Sequence, residues 1–239
     1  MREVVGERVV SYRCEARSVT GFVQQFACCY VLHGYHHYVV GEIPARKDPC
    51  VVDERLIERY GIDLSRFQRA RRKKAGSANV QYIRYRRFFV LCATEPKGAH
   101  QFYEEHPPRR VGGRSVPQIR DIKQHPLAFG GYSIGYHRGI DRKWHVSVRI
   151  HPERYRDLKA HFVNVATKWS VANLEKEFQE LRFEPYAPVR RQLLALLRAV
   201  NRERKSKGWD LVPFSALRLK RRIVRPFGWP DDVGKEDAA

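Results

Sequence analysis

The chain has 239 residues, of which 43% are apolar and 30% charged, and its formal net charge is +20. That apolar share excludes a disordered basic tail and leaves a globular chain long enough for a well-buried core. The positive excess makes a polyanion the expected partner, with nucleic acid held through its phosphates as the leading class. No apolar stretch approaches a membrane span, so a membrane is not an expected partner. The five cysteines are odd in number and scattered, two of them adjacent, and MREVVGERVV carries charges where a signal peptide needs an apolar run. These features predict reduced thiols and a cytoplasmic, nucleoid- or ribonucleoprotein-associated location.

An edge strand is expected around Val9 to Arg13. Ser18 then caps a helix in which Phe22, Val23, Phe26, Ala27, Cys29 and Tyr30 recur at helical spacing, and Gly34 supplies its stop; a strand is the rival reading of this segment. Tyr35 to Ile43 alternates and predicts a strand. The next helix has Asp48 at its N-cap, Pro49 at its first position and Gly61 just past its end, with Val52, Leu56 and Tyr60 as the inner stripe. Asp63 or Ser65 opens a further helix whose apolar face is thin, only Leu64, Phe67 and Ala70, so it is expected to face solvent or a ligand. VQYIR and RFFVLCAT predict a hairpin turning near Tyr85 and Arg86.

From Glu95 to Gln118 the Pro and Gly content argues for a long loop. FGGYSIGYHR and KWHVSVRI predict a second hairpin turning through residues 139–142. Three helices follow. Pro152 opens the first, with Tyr155, Leu158, Phe162, Val165 and Trp169 inward. Ser170 caps the second, striped by Val171, Leu174, Phe178 and Leu181. Pro188 opens the third, striped by Val189, Leu193, Leu196 and Val200 and stopped near Gly208. The expected fold is therefore α+β: one antiparallel sheet of about five strands, two hairpins plus one strand, with helices on one face and a C-terminal helical region. The expected division is a nucleic-acid-binding domain at 1–151, a helical region at 152–228 and a frayed tail at 229–239.

The stretch from Leu64 to Thr94 carries the functional expectation. Arg66, Arg69, Arg71, Arg72, Lys73 and Lys74 lie together without an acid among them, followed by Arg84, Arg86 and Arg87 among aromatics. Arginine forks bind phosphate bidentately, and exposed aromatics stack on unpaired bases, although the continuous apolar run FFVLC favours a core role for Phe88 and Phe89. The third C-terminal helix adds Arg190, Arg191, Arg198, Arg202, Arg204 and Lys205 on its outward face, and the tail adds a basic cluster from Arg218 to Arg225 that includes Arg221 and Arg222. Structured RNA or single-stranded DNA is expected over duplex read by sequence, because no recognition-helix motif stands out. A ribonucleoprotein, a replication system or a mobile element would suit such a protein, as would a wider protein–DNA assembly.

The alternative from the sequence is an endonuclease. Tyr155, with Lys159 one turn on, resembles a nicking tyrosine beside a cation, but no His-apolar-His triplet accompanies it and Tyr155 also lies on an apolar stripe. Glu104, Glu105 and Asp121 are candidate holders of a divalent metal in a nuclease, whereas backbone binding needs no cofactor. His33, His36 and His37, with Cys29, form a candidate metal cluster whose spacing fits no standard finger. GGYSIG and VGG match neither a phosphate-binding loop nor a dinucleotide fingerprint, so Gly130 and Gly131 are read as permitting a bulge or close backbone approach.

Overall fold

The computed structural model describes residues 12–95, 100–111, 114–116 and 118–228. The expected edge strand near Val9 lies, but for residues 12 and 13, outside the described residues, as does the tail from 229. The fold is α+β and antiparallel, as the sequence predicts, and it divides into two compact units. Of the described residues, those up to 124 with 225–228 make the first, and 125–224 the second.

In the first unit, Ser18 accepts from the Gly21 amide and opens α1 (Val19–Gln24). This helix continues as a π-helical turn, Gln25–Tyr30, and a 3-10 turn, Val31–His33, and ends at Gly34 in the left-handed region. The helical reading of the segment therefore holds. β1 (His37–Glu42) pairs antiparallel with β3 (Phe88–Ala93), and β3 pairs with β2 (Val80–Tyr85). The two-residue β6 (Arg120–Asp121) adds to the other side of β1, giving the order β2-β3-β1-β6. The outer edge of β2 is covered by residues 14–16, where Arg84 N–H donates to the Cys14 carbonyl and Ala16 N–H to that of Arg84. That contact removes an exposed strand edge.

Helices cover both faces of this sheet, not one as expected, because its strands alternate between two apolar sets. Tyr38 and Phe88 meet Phe26 and Phe22 on the α1 side. Val39, Val80, Tyr82, Leu91 and Ala93 join Ile57 and Tyr60 of α2 (Pro49–Tyr60) in the opposite cluster. Asp48, Pro49 and Gly61 take the capping places the sequence predicts. The buried stripe of α2 is Asp53, Ile57 and Tyr60, one residue out of phase with the expected Val52 and Leu56. Gly41 opposes Phe89, and a Cβ there would lie 2.4 Å from the ring, so only glycine lets that ring cross the strand. The expected long loop holds a short helix, α4 (Gln101–Glu104), and a small two-stranded sheet of β4 (Arg109–Val111) and β5 (Arg114–Val116).

The second unit is a meander of β7 (Leu127–Phe129), β8 (Tyr132–Arg138) and β9 (Trp144–Ile150), followed by α5 (Pro152–Val165), α6 (Val171–Glu180) and α7 (Ala187–Ser206). Gly130 and Gly131, both at positive φ, form the tight β7–β8 turn, a more specific use than the expected bulge. The two hairpins thus belong to separate sheets. The second hairpin keeps company with the helices, so the expected boundary at 151 falls inside this unit. Its anchor is Gln192 of α7, whose side-chain amide brackets the backbone of Ile150: Oε1 accepts from the Ile150 N–H at 2.8 Å, and Nε2 donates to its carbonyl at 3.2 Å. Phe162 and Phe178 stack at 4.3 Å between α5 and α6, and Val189, Leu193, Leu196 and Val200 are buried as the stripe predicts.

Candidate nucleic-acid interface

α3 (Arg66–Lys74) forms because Ser65 and Gln68 close a capping box, the Ser65 hydroxyl accepting from the Gln68 amide and the Gln68 side chain accepting from the Ser65 amide. Four cations in its last turn, Arg71, Arg72, Lys73 and Lys74, sit where the helix dipole is negative. No residue of the helix is buried, and Phe67 is 79% exposed. The helix is held instead by polar anchors. Arg69 donates to the Leu64 carbonyl, Arg72 to that of Gly61 at 3.3 Å, and Asn79 Nδ2 to that of Arg69 at 3.0 Å. Arg66, Arg71, Lys73 and Lys74 stay exposed with no carboxylate partner among the described residues.

Arg66, Arg69, Ala70 and Lys73 recur at i, i+3, i+4 and i+7, which puts them on one face of α3. That face forms one wall of a groove with a cavity volume of about 630 Å³. The π-helical turn, through Gln25, Cys29 and Tyr30, and His33 form the facing wall, and Tyr12, Tyr35 and Gln81 also line the groove. Among the described lining residues four are lysine or arginine and one, Asp63, is a carboxylate, so this lining is cationic. Tyr12 Oη lies 2.7 Å from both Gln81 Oε1 and the Tyr82 carbonyl, which share its one proton, and meets Tyr30 Oη at 3.2 Å. Burial raises the Tyr35 phenol above its ordinary range, and raises those of Tyr12 and Tyr30 further, so these hydroxyls stay protonated.

The hairpin arginines divide. Arg86 is exposed at positive φ, with its guanidinium 5.4 Å from the Tyr85 ring centroid. Arg84 is a correction to the expected phosphate set. It is 3% exposed, and its fork is committed to Asp53 at 2.8–3.0 Å and to Glu15 at 2.9–3.0 Å. Tyr82 Oη donates to the same Asp53 at 2.5 Å, and Cys14 Sγ lies 3.3 Å from it. Burial beside that carboxylate pushes the Cys14 thiol and the Tyr82 phenol well up, so both remain donors. Arg87 is a second correction: its guanidinium donates to the carbonyls of Ile43, Pro44, Ala45 and Lys47 and organises that loop. The hairpin aromatics pack inward, Phe88 on Phe22 and Phe89 on Tyr82, which leaves their faces to the core.

In the second unit, Arg190, Arg191, Arg198 and Arg202 are exposed on α7. Arg204 is a third correction: it is buried and donates to the carbonyls of Ala166, Trp169 and Asp210, closing the C-terminal end of α5. Arg221 lies over the Tyr186 ring at 4.3 Å, and the Arg222 amide donates to Glu184.

The histidines do not converge. His33 Nδ1 pairs with the Cys29 carbonyl at 3.0 Å, while His37 Nδ1 pairs with Tyr103 Oη at 2.8 Å. His36 and His37 are neighbours at the start of a strand, where successive side chains point to opposite faces. Among the described residues no group of three or more His, Cys, Asp or Glu side chains is placed to hold a metal. Glu105 is held by Arg59, Tyr60 and Gln101, chiefly the hydrogen bond from Arg59, and its carboxyl is lowered to about 2. Tyr155 donates to the Gln192 carbonyl at 3.2 Å and is raised by burial, the wrong direction for a phenolate nucleophile, and Lys159 is exposed. The structure therefore gives Tyr155 a tie between α5 and α7.

Sequence reasoning missed Asp53, Asn79, Gln81, Tyr12 and Tyr35. None stands in a motif, and each acquires its place through partners distant in the chain. Among the described residues no helix is long and apolar enough to cross a membrane. No family model matches the chain, no curated protein matches it, and no solved structure matches it.

Proposed function

We propose that this protein binds nucleic acid, structured RNA or single-stranded DNA, by gripping the phosphate backbone, with α3 as the principal contact of the first unit. The observation that carries the reading is a helix with six cations and no buried residue. A surface helix that contributes nothing to the core and gathers like charges at its end is destabilised by their repulsion until a polyanion neutralises it. Arg66, Arg71, Lys73 and Lys74 supply affinity as mobile phosphate partners, and Arg69 contributes from the groove. Arg86, Arg190, Arg191, Arg198 and Arg202 are further exposed contacts within their own units. Binding of this kind needs no cofactor.

The test is fluorescence anisotropy with labelled single-stranded DNA and hairpin RNA, comparing the natural chain with the triple variant Arg71→Glu, Lys73→Glu and Lys74→Glu. These three side chains hold no other element in place, so any loss of helicity should be confined to the last turn of α3, where acids meet the negative end of the helix dipole. Affinity is expected to fall by more than about tenfold, the loss of several phosphate contacts. Affinity within twofold of the natural chain would remove α3 from the interface.

A further inference from the structure

We infer that the groove between α3 and the π-helical turn seats one unpaired nucleotide, its phosphate on the α3 side and its base edge at the buried polar end. This inference rests on the nucleic-acid reading above and adds what is recognised there. The groove offers two chemistries. Arg66, Arg69 and Lys73 line one wall and bind a phosphate whatever base it carries. Tyr35, Gln81 and Asn79, each less than a tenth exposed, offer neutral hydrogen-bonding groups.

Those neutral groups are incompletely used. Gln81 Oε1 shares the Tyr12 proton with the Tyr82 carbonyl, and Gln81 Nε2 reaches Tyr35 Oη only at 3.4 Å, a weak bond. The Tyr35 hydroxyl accepts that contact and keeps its own proton without an acceptor among the described residues. Asn79 is fixed in orientation by donation from Nδ2 to the Arg69 carbonyl, which leaves Oδ1, buried, with no hydrogen-bond partner among the described residues. Two donors and one acceptor in a confined space suit the edge of a base, which carries both kinds of group, better than a bare inorganic anion. The facing wall is a π-helical turn, a conformation that is rare in proteins and frequent at functional sites. A stacked base pair presents neither its Watson–Crick edge nor a free nucleotide to such a groove, so an unpaired nucleotide is the ligand.

The experiment compares a blunt RNA hairpin with the same hairpin carrying a single-nucleotide 3′ overhang, by anisotropy at one salt concentration, on the natural chain and on Ala70→Trp. Ala70 is an exposed residue of the groove-facing stripe, and tryptophan there fills the groove without changing charge. The natural chain is expected to bind the overhang at least about fivefold more tightly, and in Ala70→Trp the ratio of the two affinities is expected to fall to about one. Tyr35→Phe, which removes only the hydroxyl, should reduce the ratio of overhang to blunt affinity. Equal binding of the two hairpins by the natural chain, or a preference that survives in both variants, would overturn the groove assignment and leave backbone binding standing. No binding of either hairpin, together with none of single-stranded DNA, would overturn both readings.

Discussion

Asp53 and Arg84 illustrate how a residue's role depends on its surroundings. Arg84 stands in a run of arginines and aromatics, and in sequence it is indistinguishable from Arg86 two places on. In the fold the strand alternation turns Arg84 toward α2, where Asp53 is 6% exposed, while Arg86 sits in the turn. The buried carboxylate is also why the α2 stripe shifts by one residue: hydrophobicity alone favours Val52, but the arginine makes Asp53 the better inward residue. Removing one partner strands the other in a low-dielectric site. Asp53→Asn is therefore expected to cost about 3 kcal/mol, at the low end for a broken buried pair because Glu15 still holds the guanidinium. Urea denaturation followed by circular dichroism measures this, and a loss below about 1 kcal/mol would mean the pair is effectively solvated.

Elements were legible where local chemistry decides them. Asp48 with Pro49, Ser65 and Ser170 each mark a helix start, and Gly34, Gly61 and Gly208 each sit at positive φ where a helix stops. Both hairpins were readable from alternation and turn residues. Which sheet each hairpin joins was not, since that depends on α7 bracketing Ile150 through Gln192, a contact 42 residues long in sequence. α3 gives the sharpest element-scale expectation. With no buried face, its persistence depends on the capping box, so Ser65→Ala should lose about 1 kcal/mol of local helix stability. Hydrogen exchange at the amides of residues 68–74 should accelerate, while exchange in β2 and β3 stays unchanged. Uniform acceleration across the unit would show that α3 melts only with the whole unit.

At the scale of the molecule, the charge excess of +20 was legible at once, but its allocation was not. Arg84, Arg87 and Arg204 hold carboxylates or carbonyls, which no count of positive residues distinguishes from phosphate binding. The groove was equally hidden, being assembled from residues 12, 25–35, 63–73, 79–81 and 94, none of which is informative alone. Backbone binding predicts a steep salt dependence. Four exposed α3 cations, at about 0.7 per phosphate on a single strand, give a slope near 3 in the logarithm of affinity against the logarithm of salt. Anisotropy titrations across several salt concentrations measure it, and a slope below about 1 would point away from phosphates.

The first unit is discontinuous in the chain. Among the described residues, 225–228 belong with those up to 124, and the Pro226 carbonyl accepts from the Arg17 amide at 3.0 Å. On the ribosome the first unit therefore waits for a segment made after the whole of the second. The second unit emerges whole and can fold while its neighbour still lacks that closing segment. For the two units, order of synthesis and order of completion run in opposite directions.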